Sequence, residues 1–166
     1  TASELEAIGI YEVVDDNSNL RGAYYINGEA TLTFASGVVT RSYGTATPRG
    51  DLEDSLYTAE ETKPEGFSTG DTKHGLKSEK KAGVNADAAM KLREYDWYTL
   101  RAASGGTAIP SAISTYQAAV RTAANSMHTK IDAVADLDAL VALYVWNDDD
   151  PPTRPIGEWP APLSLS

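Results

Sequence analysis

From Ile8 to Tyr43 apolar residues come in short runs separated by turn-forming residues. Ile8-Gly9-Ile10-Tyr11-Glu12-Val13-Val14 is rich in β-branched side chains and stops at Asp15-Asp16-Asn17-Ser18-Asn19. Ala23-Tyr24-Tyr25-Ile26 runs into Asn27-Gly28, a pair that tolerates positive φ at both positions and so predicts a tight hairpin. Ala30-Thr31-Leu32-Thr33-Phe34 then leads through Ser36-Gly37 to Val38–Tyr43. Leu32, Phe34 and Val38 alternate with threonines and predict one apolar face. Residues 1–47 therefore read as a small antiparallel β meander of three or four short strands. Such a sheet has a face that a helix or another chain must cover.

The pattern changes after Thr47. Residues 48–72 show no periodicity and hold Pro48, Gly50, Pro64, Gly66 and Gly70, which reads as a long extended linker between two modules. From residue 73 the period becomes helical. Val84, Ala88, Leu92, Tyr95 and Tyr98 or Thr99 fall on one face of a long helix that begins near Leu76 or near Val84 and stops at Ser104-Gly105-Gly106. A second helix follows Pro110, with Ser111 as its expected N-cap. Its stripe of Ile113, Tyr116, Val120, Ala123, Met127, Ile131 and Val134 is that of a seam against another helix. The short connection predicts an antiparallel α-helical hairpin, followed by a short third helix capped by Asp136, all within residues 73–146. The fold class is α+β.

Residues 147–166 combine Asp148-Asp149-Asp150 with Pro151, Pro152, Pro155, Pro160 and Pro162 around Trp159, an extended acidic, Pro-rich tail that something must hold. Large side chains are few: Phe and Met occur twice each. That thin supply predicts a chain finished by partners. The charge balance is 24 acids to 14 bases, a net −10, which leaves no overall positive field for nucleic acid or an anionic membrane. Lys73, Lys77, Lys80, Lys81, Lys91, Arg93 and Arg101 reverse the sign locally, and pairing with the chain's own acids or an acidic neighbour is the better use for them. The longest apolar run, Ala139 to Trp146, is far short of the ~20 residues of a membrane span. Thr1-Ala2-Ser3-Glu4 has neither a basic nor an apolar leader segment, so no signal peptide is expected.

Candidate chemistry is sparse. The absence of cysteine removes disulfides, thiolate metal sites and cysteine nucleophiles. Asp15-x-Asn17-x-Asn19 opens like a calcium loop, but Leu20 stands where that loop needs Gly and Ile26 where it needs Glu. His74 and His128 have no partner at a spacing that suggests a catalytic set, and no phosphate-loop, dinucleotide or nucleophile-elbow motif occurs. No catalytic residue, metal or cofactor is expected.

Leu92-Arg93-Glu94-Tyr95-Asp96-Trp97-Tyr98, the loop with Ala108-Ile109-Pro110, Tyr116-Gln117-Ala118-Ala119-Val120-Arg121 and a closing Trp159-Pro160 resemble the tail-fibre assembly proteins of tailed bacteriophages and the related small phage tail proteins. The opening Glu4-Leu5-Glu6-Ala7-Ile8-Gly9-Ile10-Tyr11-Glu12-Val13-Val14 is similar too, so short motifs cover about two-thirds of the chain. Asp96, Trp97, Tyr116 and Arg121 match the family pattern, while Gln117 stands where Arg is usual and Tyr95 where Thr is usual. The resemblance implies a virion tail component made in the host cytoplasm, acting by protein–protein docking in fibre assembly or attachment. Its partners would be fibre or baseplate proteins, with self-association in a multi-subunit assembly open. The alternative is a baseplate or tail structural subunit with no chaperone role. The partner-binding candidates are Asp96 as a helix-end hydrogen-bonder, Trp97, Tyr98 and Tyr116 at the hairpin tip, Arg121, and Trp159 with Pro160, where flanking prolines leave no local core. For the tip aromatics, core and contact surface both stand as roles.

Overall fold

A computed structural model of the chain describes residues 7–163, so Glu4-Leu5-Glu6 of the opening motif lies outside the described residues. The protein is mixed α+β, with small sheets in its N-terminal half and helices in its C-terminal half. It divides into two compact units, Thr1–Asp51 and Leu52–Ser166.

The first unit holds β1 (Val13–Asp15), β2 (Tyr25–Ile26), β3 (Ala30–Ala35), β4 (Val38–Tyr43) and β5 (Thr47–Pro48). β3 and β4 form an antiparallel hairpin, and β1 adds to the far side of β4 in parallel, giving the order β1-β4-β3. The expected all-antiparallel meander is therefore corrected. β2 leaves the main sheet to pair with β5, and the chain between β1 and β3 becomes a crossover. The expected hairpin at Asn27-Gly28 does not form. The Asn27 side chain instead binds the preceding loop, accepting from Leu20 N at 3.0 Å and donating to Leu20 O and Asn19 Oδ1 at 2.8 Å. Ser36-Gly37, both at positive φ (52° and 81°), makes the tight turn of the β3–β4 hairpin. Gly28 is required for a different reason: a Cβ there would lie 2.7 Å from the backbone of Gly44. Among the described residues, Tyr24 is the buried hydrophobic of this unit. One face of the sheet carries Val13, Phe34 and Leu32 to solvent, with the Tyr11 ring 4.7 Å from that of Phe34 and Arg41 bidentate to Asp15.

The second unit opens with β6 (Ser55–Leu56) paired antiparallel to β7 (Thr72–Lys73). The stretch expected as an irregular linker thus folds on itself. Tyr57 N donates to Asp71 O and Gly70 N to Tyr57 O, and the Tyr57 and Phe67 rings meet at 5.4 Å. Glu61 and Asp71 accept from the Thr58 and Ser68 amides at 2.9 and 2.7 Å, a side-chain use of acids that has no hydrophobic period. Then come α1 (Leu76–Arg93), α2 (Asp96–Ala103), α3 (Ser111–Ala133) and α4 (Leu137–Ala142). The single long helix expected over 73–103 is broken at Glu94-Tyr95, where Tyr95 (φ −108°, ψ 2°) leaves helical geometry and buries its ring edge-on to Tyr116 at 5.3 Å. Ser111 is the first residue of α3 and Pro110 its N-cap, so the expected capping serine is not one. Asp136 does cap α4, accepting from Ala139 N at 2.8 Å.

α1 packs on α3. The start of α1 meets the end of α3 through Lys77 Nζ to Asp132 O (3.1 Å) and Lys81 Nζ to Asp132 Oδ1 (2.8 Å), while the end of α1 meets the start of α3 at Tyr95–Tyr116. The α3 stripe is close to that expected: Ile113, Tyr116, Val120, Met127 and Ile131 are buried, with Ala124 in place of Ala123 and Gln117 added. Residues 147–163 return to this unit. Asn147 closes a loop with Thr153 through N–H to O at 2.9 Å and Oδ1 from N–H at 2.7 Å. Ile156 is 2% exposed and donates its N–H to Leu143 O, and Lys130 Nζ reaches the carbonyls of Pro155 and Ile156 at 2.8 and 3.2 Å. What holds the tail is the chain's own helices.

Candidate functional site

Around the α1–α2 break, the buried cluster Tyr95, Ile113, Tyr116 and Val120 is surrounded by Ala88, Leu92, Tyr98, Ile109, Trp159 and Leu163. The structure brings Tyr98, Tyr116 and Trp159 together from α2, α3 and the tail. Tyr116 is a core residue, and Tyr98, Trp159 and Pro160 are half-buried. Trp159, a contact candidate expected to lack a local core, packs its ring on the cluster, with Lys91 Nζ over that ring at 5.6 Å. A Trp–Pro pair without local periodicity finds its core from distant elements. Burial also raises the Tyr116 hydroxyl above its ordinary range, with the neighbouring Tyr95 and Glu94 adding to the effect.

Asp96 begins α2 and is exposed, as the dipole at a helix start favours. Trp97, the next residue, is 51% exposed. Its ring lies 4.3 Å from that of Tyr98, and the Arg101 guanidinium stacks over both, 4.4 Å and 5.3 Å from their centroids. That stack holds a large aromatic side chain at the surface in one orientation. Arg121 is exposed on α3 and outside the cluster. The structure thus separates the seven expected residues into a packed group (Tyr98, Tyr116, Trp159, Pro160) and an exposed group (Asp96, Trp97, Arg121).

Sequence patterning missed two exposed apolar residues near this end, Met90 and Leu100, each 69% exposed. Both lie off the predicted stripe, and that was the available signal. Met90 borders an open groove of about 330 Å³ with Asp87, Lys91 and Trp159, and a second of about 300 Å³ with Arg93 and Glu94. Apolar side chains beside charged ones give a surface suited to a peptide or protein partner.

The lysines have partners of their own. Lys73 meets Glu61 at 3.3 Å, Lys77 pairs with Glu53 and Lys81 with Asp132. His74 Nδ1 is 3.4 Å from Asp54, a carboxylate that also accepts from Gly75 N at 2.7 Å and from Ser78, whose combined hydrogen bonds hold it below the ordinary range. The hydroxyl and the imidazole share one carboxylate rather than bonding each other. Among the described residues no group of three or more His, Asp or Glu is placed to hold a metal ion, and no helix is long and apolar enough to cross a membrane. No family model matches the chain, nor does any curated protein or solved structure.

Proposed function

We propose that this chain is a bacteriophage tail component, a tail-fibre assembly factor or fibre-associated adaptor that docks through the tip of an antiparallel helical hairpin. The observation that carries the reading is Trp97. It sits beside Asp96 where the family motif requires it, half-exposed, and held by the Arg101 stack. An ordered surface tryptophan about one helical turn from the exposed Leu100 is the kind of anchor that dominates binding energy at protein interfaces. The acidic tail completes that end of the hairpin by supplying Trp159 to the tyrosine cluster, which stabilises the tip rather than meeting the partner directly.

The test is co-purification with the tail-fibre protein of the same phage. Trp97→Ala and Leu100→Ala should weaken it at least roughly tenfold while leaving the melting profile unchanged, as expected for surface anchors. Undiminished co-purification would remove the docking role of the tip. A baseplate or tail structural subunit is the second reading, supported by the uncovered apolar face of Val13, Leu32 and Phe34 in the first unit. Expressing the fibre gene with and without this chain separates the two. A higher yield of soluble fibre trimers in its presence favours the assembly factor, and equal yields favour the subunit.

A further inference from the structure

We propose that β3 pairs with β3 of a second copy of this chain, antiparallel and about a two-fold axis at Leu32, joining two three-stranded sheets into one. This inference stands apart from the docking role of the helical tip. β3 is an edge strand of the sheet β1-β4-β3, and all six of its residues are exposed. The hydrogen-bond phase follows from its neighbours. Gly44 N donates to Glu29 O at 3.0 Å, and two residues later in β3 the alternation makes Thr31, Thr33 and Ala35 the residues that bond β4. Arg41 O accepts from Asp16 N, on the β1 side, so its opposite number Leu32 turns its backbone away from β4. The N–H and C=O groups of Ala30, Leu32 and Phe34 therefore line the free edge.

An edge of this kind accepts an extended strand, and native edges are usually blunted by lysine, proline, an inward charge or a bulge. Ala-Thr-Leu-Thr-Phe-Ala has none of these. The occupant is a second copy because the edge complements itself. With Leu32 opposite Leu32, Ala30 faces the second copy's Phe34, small against large, and Thr31 faces the second copy's Thr33. The pairing preserves side-chain parity, so the row of Val13, Val39 and Phe34 and the row of Asp15, Arg41 and Leu32 continue across the seam on one face. Charge permits it too. The chain carries a net −10, yet residues 30–40 contain no charged side chain, and Arg41 beyond them is already paired with Asp15. At the opposite edge β1 is three residues long and lies among Glu12, Asp15 and Asp16, which opposes further addition and closes the assembly at two.

The test uses the full chain, by sedimentation velocity from about 10 μM to about 500 μM. The wild type should dimerise. Leu32→Lys places two ammonium groups at the axis, and Leu32→Pro removes an outward N–H without touching the β3–β4 ladder. Each should raise the dimer dissociation constant at least roughly tenfold. Because Leu32 is 63% exposed, Leu32→Lys remains a fair test if the proline variant fails to fold. The chain has no cysteine, so an oxidised mixture of Thr31→Cys and Thr33→Cys should give a cross-linked heterodimer, whereas Thr31→Cys alone should not. A monomer at every concentration, a dimer indifferent to Leu32→Lys, or cross-linking of Thr31→Cys with itself would each overturn the proposal.

Discussion

Truncating Ile156 to alanine tests whether the closing segment belongs to the fold of the second unit. Ile156 is 2% exposed, its amide bonds Leu143 O, and its carbonyl accepts from Lys130, so the backbone stays tethered when the side chain is cut back. The substitution removes three buried carbons, at ~0.8 kcal/mol each, and leaves a cavity that the tether keeps from collapsing. The expected loss is about 3 kcal/mol, which for a unit of this size lowers the melting temperature by roughly 10 °C. All three tryptophans, Trp97, Trp146 and Trp159, lie in the second unit, so urea unfolding followed by tryptophan fluorescence reads that unit alone. Leu100→Ala, at a 69% exposed site, is the control and should stay within about 0.5 kcal/mol. If the two variants unfold at the same urea concentration, residues 147–163 are not part of the cooperative structure.

Three further outcomes follow from the same geometry. Gly75→Ala would set a Cβ 2.4 Å from the Glu53 backbone and Gly28→Ala one 2.7 Å from Gly44, so each should destabilise its own unit. Amide exchange resolved by residue should show the loss confined to that unit, and unchanged protection would refute the close approach. Lys77→Ala removes a buried stem and leaves Asp132 O without its 3.1 Å donor, and should cost about 2 kcal/mol, against under about 1 kcal/mol for the more exposed Lys81→Ala. Equal effects in urea melts would contradict that ordering. Glu158 is held below its ordinary pKa of 4.5 by the Arg154 guanidinium, and Asp132 below 3.8 by Lys81. The fold favours their ionised forms, so this stability is present above the ordinary values and is lost as pH falls through the lowered ones. The urea midpoint of the second unit should therefore decline below pH 4.5, and Glu158→Gln should lessen the decline. A midpoint that rises on acidification would show the sign to be wrong.

The helical part of the fold was legible because its signal is local and repeated. Ile113, Tyr116, Val120, Met127 and Ile131 recur at helical spacing, and that face is the buried one. The β part was legible as strands but not as a sheet. Runs of β-branched residues mark where β3 and β4 lie, whereas the parallel placement of β1 and the departure of β2 to β5 depend on which edges meet after the chain has turned. Asn27-Gly28 misled for a related reason. The dipeptide permits a hairpin turn, but the Asn27 amide gains more partners by bridging back to Asn19 and Leu20. The candidate site divides in the same way. Asp96-Trp97 could be picked out by motif and Tyr116 by its place on the α3 stripe, yet nothing along the chain shows that Arg101 stacks over Trp97 or that Trp159 packs on the cluster.

By itself, then, the sequence determined the class of structure in each half, the apolar seam of α3, the cap at Asp136 and the stop at Ser104-Gly105-Gly106. Each is decided by residues within a turn or two of one another. Only the tertiary structure decided the break at Tyr95, the folding of residues 52–73 upon themselves, the return of Ile156 and Trp159 to the helices, and the exposure of Trp97, Leu100 and the β3 edge. Those outcomes depend on contacts between residues far apart in the chain. In such contacts a tyrosine or tryptophan is buried or displayed according to what another element leaves uncovered.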